Sequence, residues 1–343
     1  MKYIKRFVAW AILSLIIQVG ALFILDRVIF KQSSAFESKK IELDKPYEDK
    51  INIKIPKDAG EIKISYNGKY MSYSKGDKLN MIETKSGKDK SIETENKGEV
   101  MYYEWLYERD MIVILEKVNK KGKDKIQLVT YNPKNSATTL VTEICDFKSG
   151  MKIKNVTESV FTSVYYVYVS NNEGYDRCYR IDINNDKFDV PLKGAGMENM
   201  KVIPHKDRLI YDDVVNSSIY ATSPNTKLKF NTNNKLRLIG IDRNDVIYIG
   251  EVSGDKISGI VYGKIDESTS KWNSIKLDSP ANSSDIFFNS KSEIMVNNIL
   301  EEKIKNITTG KEYPYTGKFI DVKDDFIALD DNGKLVFQKI KDN

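Results

Sequence analysis

One segment constrains the fold more than any other. Ile62–Ile92 sets four short extended runs and three tight-turn signals into 31 residues. Ile62–Ile64 is one strand, Asn67-Gly68 a hairpin turn and Tyr70–Ser74 a second strand. Gly76-Asp77 turns the chain again, Leu79–Glu83 is a third strand, Ser86-Gly87 turns it, and Lys90–Ile92 opens a fourth. Asn and Gly supply the positive φ that two-residue hairpins demand. A four-stranded antiparallel unit of this size has two faces to bury. Radial repetition of such units is one of the few ways to do it.

The same rhythm continues to the C-terminus, and no amphipathic helix interrupts it after Ile51. A second unit shows three runs, Met111–Leu115, Ile126–Tyr131 and Thr138–Val141, with Asn132-Pro133-Lys134-Asn135 turning the chain. A third also shows three, Val164–Val169, Arg177–Ile181 and Lys187–Leu192. A fourth comprises Met200–Pro204, Arg208–Asp212, Ser218–Ala221 and Leu228–Phe230. A fifth comprises Leu236–Ile241, Asp245–Gly250, Ile260–Ile265 and Trp272–Leu277. The sixth is Ile286–Asn289, Ile294–Asn297, Lys303–Ile307 and Glu312–Tyr315. The last has only Phe319–Val322, Phe326–Leu329 and Leu335–Lys339. Lys50–Ile55 is expected to supply its fourth strand and close a ring without open edges. Residues 49–343 allow about 42 residues per unit for seven units and about 49 for six, against about 40–45 for blades of this kind. Seven is favoured and six stays open.

The residues of the first unit carry a resemblance. Ser65-Tyr66-Asn67-Gly68-Lys69-Tyr70-Met71-Ser72-Tyr73, then Leu79-Asn80-Met81-Ile82 and Ser86-Gly87-Lys88, resemble the WD40-like repeat of TolB-type and dipeptidyl-peptidase-type β-propellers. That repeat reads S-P-D-G-K-x-I-A-Y, then a strand, then a T/S-G-K turn. Here Tyr66 replaces the Pro and Asn67 the Asp. The resemblance implies an all-β propeller, and the absence of G-x-S-x-G implies that no hydrolase domain accompanies it.

Before the propeller, Phe7–Leu25 is an uncharged apolar run of 19 residues. As a helix it spans about 29 Å, the thickness of a bilayer core. Lys2, Lys5 and Arg6 precede it and Trp10 lies near its start. The positive-inside rule then places the N-terminus in the cytoplasm and the rest of the chain outside. A signal peptide cleaved near Val19-Gly20-Ala21 is the alternative, although the apolar run outlasts an ordinary signal core. The expected division is a tip and transmembrane anchor over 1–31, a polar linker over 32–48 and the propeller over 49–343. Ser14 and Gln18 are the polar residues of the span and offer hydrogen bonds to a partner helix.

Charge follows the same division. The formal net charge is +5, but residues 1–31 carry five bases and one acid, leaving +1 for the remainder. The basicity is a membrane signal, so nucleic acid is not an expected partner. With 46 Lys to 8 Arg and abundant Asn, the usage points to an AT-rich bacterial genome, which sets aside the sequons at Asn155, Asn216, Asn282 and Asn306.

No catalytic, cofactor-binding or metal-ligating residue can be assigned from the sequence. His205, the only histidine, lacks a triad partner motif and reads as a surface residue at a strand end. Cys145 and Cys178 fall in consecutive units, where both a disulfide and two buried thiols remain open. Asp182-Ile183-Asn184-Asn185-Asp186 resembles the start of a calcium loop. Lys187 stands where such a loop needs Gly, and Lys193 where it needs Glu, so a hairpin turn is expected. Tyr102-Tyr103-Glu104-Trp105 and Tyr165-Tyr166-Val167-Tyr168 are expected to pack between blades rather than stack on sugars.

These features point to a membrane-anchored, extracytoplasmic propeller that binds or scaffolds a protein or glycan of the bacterial cell envelope. A glycan-active enzyme with a carboxylate pair in the central funnel is the alternative, as is a sensor accessory subunit whose helix pairs with a membrane partner. Two or more carboxylates converging in the funnel, one with a raised pKa, would favour the enzyme.

Overall fold

A computed structural model describes residues 2–24, 53–94, 98–171, 174–194 and 196–340. The chain divides into two units, residues 1–45 and residues 46–343. In the first, Lys2–Ile24 is one α-helix. It contains Tyr3–Phe23, a stretch long and apolar enough to cross a membrane, and a signal sequence meets the same description. The helix begins before the apolar run and includes its basic flank. Leu25 and the proposed linker over 32–48 lie outside the described residues. Within the helix, Gln18 Nε2 donates to Ser14 Oγ at 3.4 Å, so the polar pair is joined one turn apart.

The second unit is a seven-bladed β-propeller of four-stranded antiparallel sheets. Blade one is Ile62–Ile64, Tyr70–Lys75, Lys78–Glu83 and Asp89–Ile92, close to the sequence reading. Blade seven combines Lys318–Val322, Phe326–Asp330 and Lys334–Lys339 with Ile53–Lys54 from the far end of the unit. Ile53 pairs with Leu335 and Lys54 with Lys334, and Ile55 N donates to Gly333 O at 2.8 Å. The ring therefore closes by the expected strand, of which Lys50–Asn52 lie outside the described residues.

First strands touch one another from blade seven through blade one to blade five, so the first strands are the inner strands and enclose the central channel. In order they are Ile62–Ile64, Glu99–Trp105, Lys152–Ser159, Met197–Val202, Lys235–Ile241, Ile286–Phe288 and Lys318–Val322. The sequence reading missed the second and third of these. Their alternation is broken by register shifts between Val100 and Tyr102 and between Ile153 and Asn155. Blades four, five and seven carry equivalent shifts in their inner strands. A bulge changes which face each later residue takes; in blades five and seven the apolar residues are dense enough for the strand to be read through it, and in Lys152–Ser159 they are not.

The core is a set of layers between blades. Ile64 and Met71 meet Phe326 and Phe337 of blade seven, while Leu79 and Met81 meet Trp105 and Ile112 of blade two. Val113 and Leu115 meet Val156 and Val167, and further layers join each later pair of blades. Each fully buried aliphatic side chain contributes on the order of 1.5–3 kcal/mol. Two local devices hold the ring to shape. Gly68 closes the first hairpin at φ +70, and a Cβ there would meet Phe337 at 2.9 Å and Phe326 at 3.0 Å. Asp212, wholly buried, takes up the amides freed by the blade-four bulge. Its carboxylate accepts from Asn199 N and Nδ2, each at 2.8 Å, Glu198 N at 3.3 Å and Leu238 N of blade five at 3.1 Å.

Candidate functional site at the channel end

Every inner strand leads by a short turn into the second strand of its blade, and these turns gather at one end of the channel. Contacts join them round the ring. Arg109 Nη2 of blade two donates to Val160 O of blade three at 3.5 Å, and Ser159 Oγ donates to Pro204 O of blade four. His205 of blade four bonds to Asp245 of blade five through its backbone N and its Nδ1, each at 3.0 Å. Asn244 Nδ2 reaches Ser290 O at 3.0 Å and Ser292 Oγ at 2.9 Å in blade six. Ser290 N donates to Asp324 Oδ1 of blade seven at 2.8 Å.

One contact crosses the ring instead of following it. Arg243 of blade five pairs through Nη2 with Glu108 Oε1 of blade two at 3.0 Å, and its Nη1 lies 4.0 Å from Asp324 Oδ2 of blade seven. Blades two and five stand on opposite sides of the channel, so this guanidinium spans it. The turns present it because Asp242 Oδ1 accepts from Asn244 N and Val246 N, which fixes the loop carrying Arg243. Glu108 sits in the blade-two turn with a positive φ of 59. Burial first, and then the Asp324 carboxylate, raise the phenol of neighbouring Tyr107 to about 12.

Near the ends of the inner strands stands a mixed charge cluster. Lys63 Nζ of blade one donates to Glu104 Oε2 of blade two at 2.8 Å and to Tyr103 O at 2.7 Å, and lies 3.1 Å from Glu61 Oε1. Tyr102 OH donates to the same Glu104 oxygen at 3.4 Å. Burial alone would lower the Lys63 ammonium, but Glu104 and Glu61 hold it above its ordinary range. Blade three contributes Glu158. Burial pushes its carboxyl up to about 7 and the Glu104 charge adds to this, while Lys201 and the Tyr107 amide pull the other way. Two carboxyl groups thus converge here in different environments, one ion-paired and one desolvated. Sequence reasoning found neither. Glu104 lay inside a cluster noted only for its rings, and Glu158 sat in an unrecognised strand.

Beside the cluster three rings are exposed on successive turns. Phe161 is 52% exposed and Tyr107 45% exposed. Phe161 stacks on His205 with ring centroids 4.1 Å apart and planes 25° off parallel.

The other sequence candidates resolve as follows. His205 is a surface residue bonded to Asp245. Cys145 and Cys178 are free thiols, and burial pushes the Cys178 thiol up to about 12. Asp182 makes a turn, its Oδ1 accepting from Asn184 N at 2.9 Å and Asp186 N at 3.0 Å. Tyr103, Trp105, Tyr166 and Tyr168 are buried between blades, whereas Tyr102 belongs to the charge cluster. Among the described residues no three His, Cys, Asp or Glu side chains come together as metal ligands.

No family model matches the chain, and no curated protein matches it. Solved structures share the fold. One is an oligogalacturonate lyase in complex with manganese, with TM-score 0.58 and 9% identity over 85% of this chain and 90% of that one. Another belongs to a mitotic checkpoint complex, with TM-score 0.54 and 10% identity over 86% of this chain and 97% of that one. At such identities the likeness is one of fold alone, and one fold carries many functions.

Proposed function

We propose that this chain is a TolB-like propeller anchored in a bacterial cell membrane by its N-terminal helix, with the propeller outside the cytoplasm. There it binds a protein or glycan of the envelope in a scaffolding or accessory role. The helix supports an anchor by its length and apolarity, and the basic residues that open it, Lys5 and Arg6, support a cytoplasmic N-terminus. The observation that carries the binding role is the channel end. Turns from opposite blades are tied across it by Arg243, and exposed rings flank it on a rigid scaffold, where recognition loops do their work.

Crosslinking the full-length protein in membranes and recovering its neighbours tests this reading. Recovery of an envelope-synthesis protein or a covalently held glycan supports it. A protein released from the membrane by cleavage after the helix, or recovered alone, contradicts it.

Glu158 and Glu104 favour a second reading, a glycan-active enzyme. A carboxyl raised to about 7 donates a proton at neutral pH, and Lys63 holds the second carboxylate in place. Release of reducing ends from cell-wall fragments by the purified protein, abolished by Glu158→Gln, would establish turnover. Equal release by the variant would exclude Glu158 from it.

A further inference from the structure

We propose that the second hairpin of blade two and the chain beside it form a basic surface that binds a hydrophilic, linear polyanion of the envelope. The hairpin strands Ile112–Lys120 and Lys123–Asn132 have nine and ten residues, against six and six in blade one and seven and six in blade three. Its tip lies at the opposite end of the propeller from the channel-end turns, because successive turns of an antiparallel sheet alternate between its ends. The inference thus goes beyond the binding reading above and shares with it only the location outside the cytoplasm. Contacts make the basic residues one surface. Phe147 N, in the connection to blade three, donates to Asp124 O of the hairpin at 2.8 Å. Lys117 Nζ stands 4.6 Å from the centre of the Phe147 ring. Lys148, next in the chain, and Arg177 of blade three both cover the Tyr175 ring, at 5.3 and 5.7 Å from its centre.

Charge selects the ligand. Segments 117–125, 146–152 and 175–177 hold eight bases and three acids. Glu99 and Glu143 reach in as two further carboxylates, and the surface keeps a net charge of +3, against +1 for all of the chain after residue 31. Glu143 serves two ammonium groups at once, Lys120 at 2.6 Å and Lys125 at 2.7 Å. Lys121, Lys123, Lys148, Lys152 and Arg177 are exposed and form no ion pair among the described residues. A partner with repeated negative charges neutralises them and releases their counterions. The surface lacks what other partners require. None of its side chains is an exposed large hydrophobic, so nothing is offered to insert into a bilayer or to stack on a nucleobase. A protein interface would need such an anchor as well, and lysine is depleted there. A water-soluble chain with a phosphate or carboxylate on each unit fits, because point charges on flexible stems follow its spacing without a fixed fork.

The test is binding of labelled polyphosphate, polygalacturonate and neutral dextran to the full-length protein in phosphatidylcholine nanodiscs. At least one polyanion should bind in about 50 mM salt and dextran should not; the one that binds identifies the anion as phosphate or carboxylate. Lys121→Gln, Lys123→Gln and Lys148→Gln together should weaken binding about tenfold and lower its log–log salt slope by about 2. Lys227→Gln, Lys229→Gln and Lys256→Gln remove the same charge around blades four and five, and should change binding by less than about twofold. All six lysines are exposed, and unchanged melting of the variants confirms that the fold is intact. Binding of neither polyanion, equal weakening by the two triple variants, or capture of the wild-type nanodiscs by phosphatidylglycerol vesicles as tight as polyanion binding would overturn the assignment. The first triple variant should still crosslink at the channel end, so loss of polyanion binding and failure of the channel-end reading are told apart.

Discussion

Arg243 in the turn of blade five holds Glu108 in the turn of blade two at 3.0 Å, across the channel rather than around it. Both side chains are about one-third exposed, so the pair contributes no more than about 1 kcal/mol to folding. Its effect is on local motion. Arg243→Gln should leave the melting temperature almost unchanged and raise amide exchange over residues 106–111. Measurement is by hydrogen exchange with mass spectrometry, and unchanged exchange there would mean that the pair does not restrain the turn.

Glu158 makes stability depend on pH in a direction opposite to that of most carboxylates. Its folded pKa of about 7 lies above the ordinary 4.5. Between those values the folded state holds a proton that the unfolded state has lost, so stability falls as pH rises and levels off above 7. A displacement of that size corresponds to on the order of 3 kcal/mol at most. Glu158→Gln removes this dependence. Its melting temperature should match wild type near pH 4.5 and exceed it at pH 8, and an equal offset at both pH values would contradict the assigned environment.

Ring closure depends on a very short strand. Ile53 and Ile55 are buried against Met71, Phe326 and Leu335. Ile53→Ala should cost about 2 kcal/mol, the low end for a buried aliphatic residue because an edge strand can settle. Leu300→Ala, at a turn residue that is 96% exposed, should change stability by less than about 0.5 kcal/mol. Urea melts of the two variants give the comparison.

Asp212 presents a different kind of dependence. Replacement by Ala takes the acceptor from the buried amide of Leu238 and from the part-buried amides of Glu198 and Asn199, and a buried unmet donor costs about 1–3 kcal/mol. A loss of about 3 kcal/mol or more is expected. A loss below about 1 kcal/mol would show that the bulge finds other acceptors.

The architecture was largely legible in the residues. Hairpin signals such as Asn67-Gly68 and the periodic strands of blades one, four, five and six gave the blade rhythm, and the incomplete last blade pointed to Lys50–Ile55. The inner strands of blades two and three were not legible: Lys152–Ser159 has only Ile153 and Val156 as apolar residues, on either side of its bulge, and Glu99–Trp105 reads as a ring cluster. The channel-end site was hidden for a related reason. Glu104, Glu158 and Arg243 lie far apart in sequence in elements of no special composition, and only ring closure brings their turns to one end. His205 drew attention as the only histidine, and it stands at the surface, stacked on Phe161 and bonded to Asp245.

The most direct test places a photo-crosslinking benzoylphenylalanine at position 107, beside the Arg243–Glu108 pair, and another at position 300 in the blade-six turn that joins its second and third strands. Both are activated in the full-length protein in native membranes. The account predicts a discrete crosslinked protein or glycan product from position 107 and none from position 300. The same product from position 300 alone, or none from either position, would contradict binding at the channel end.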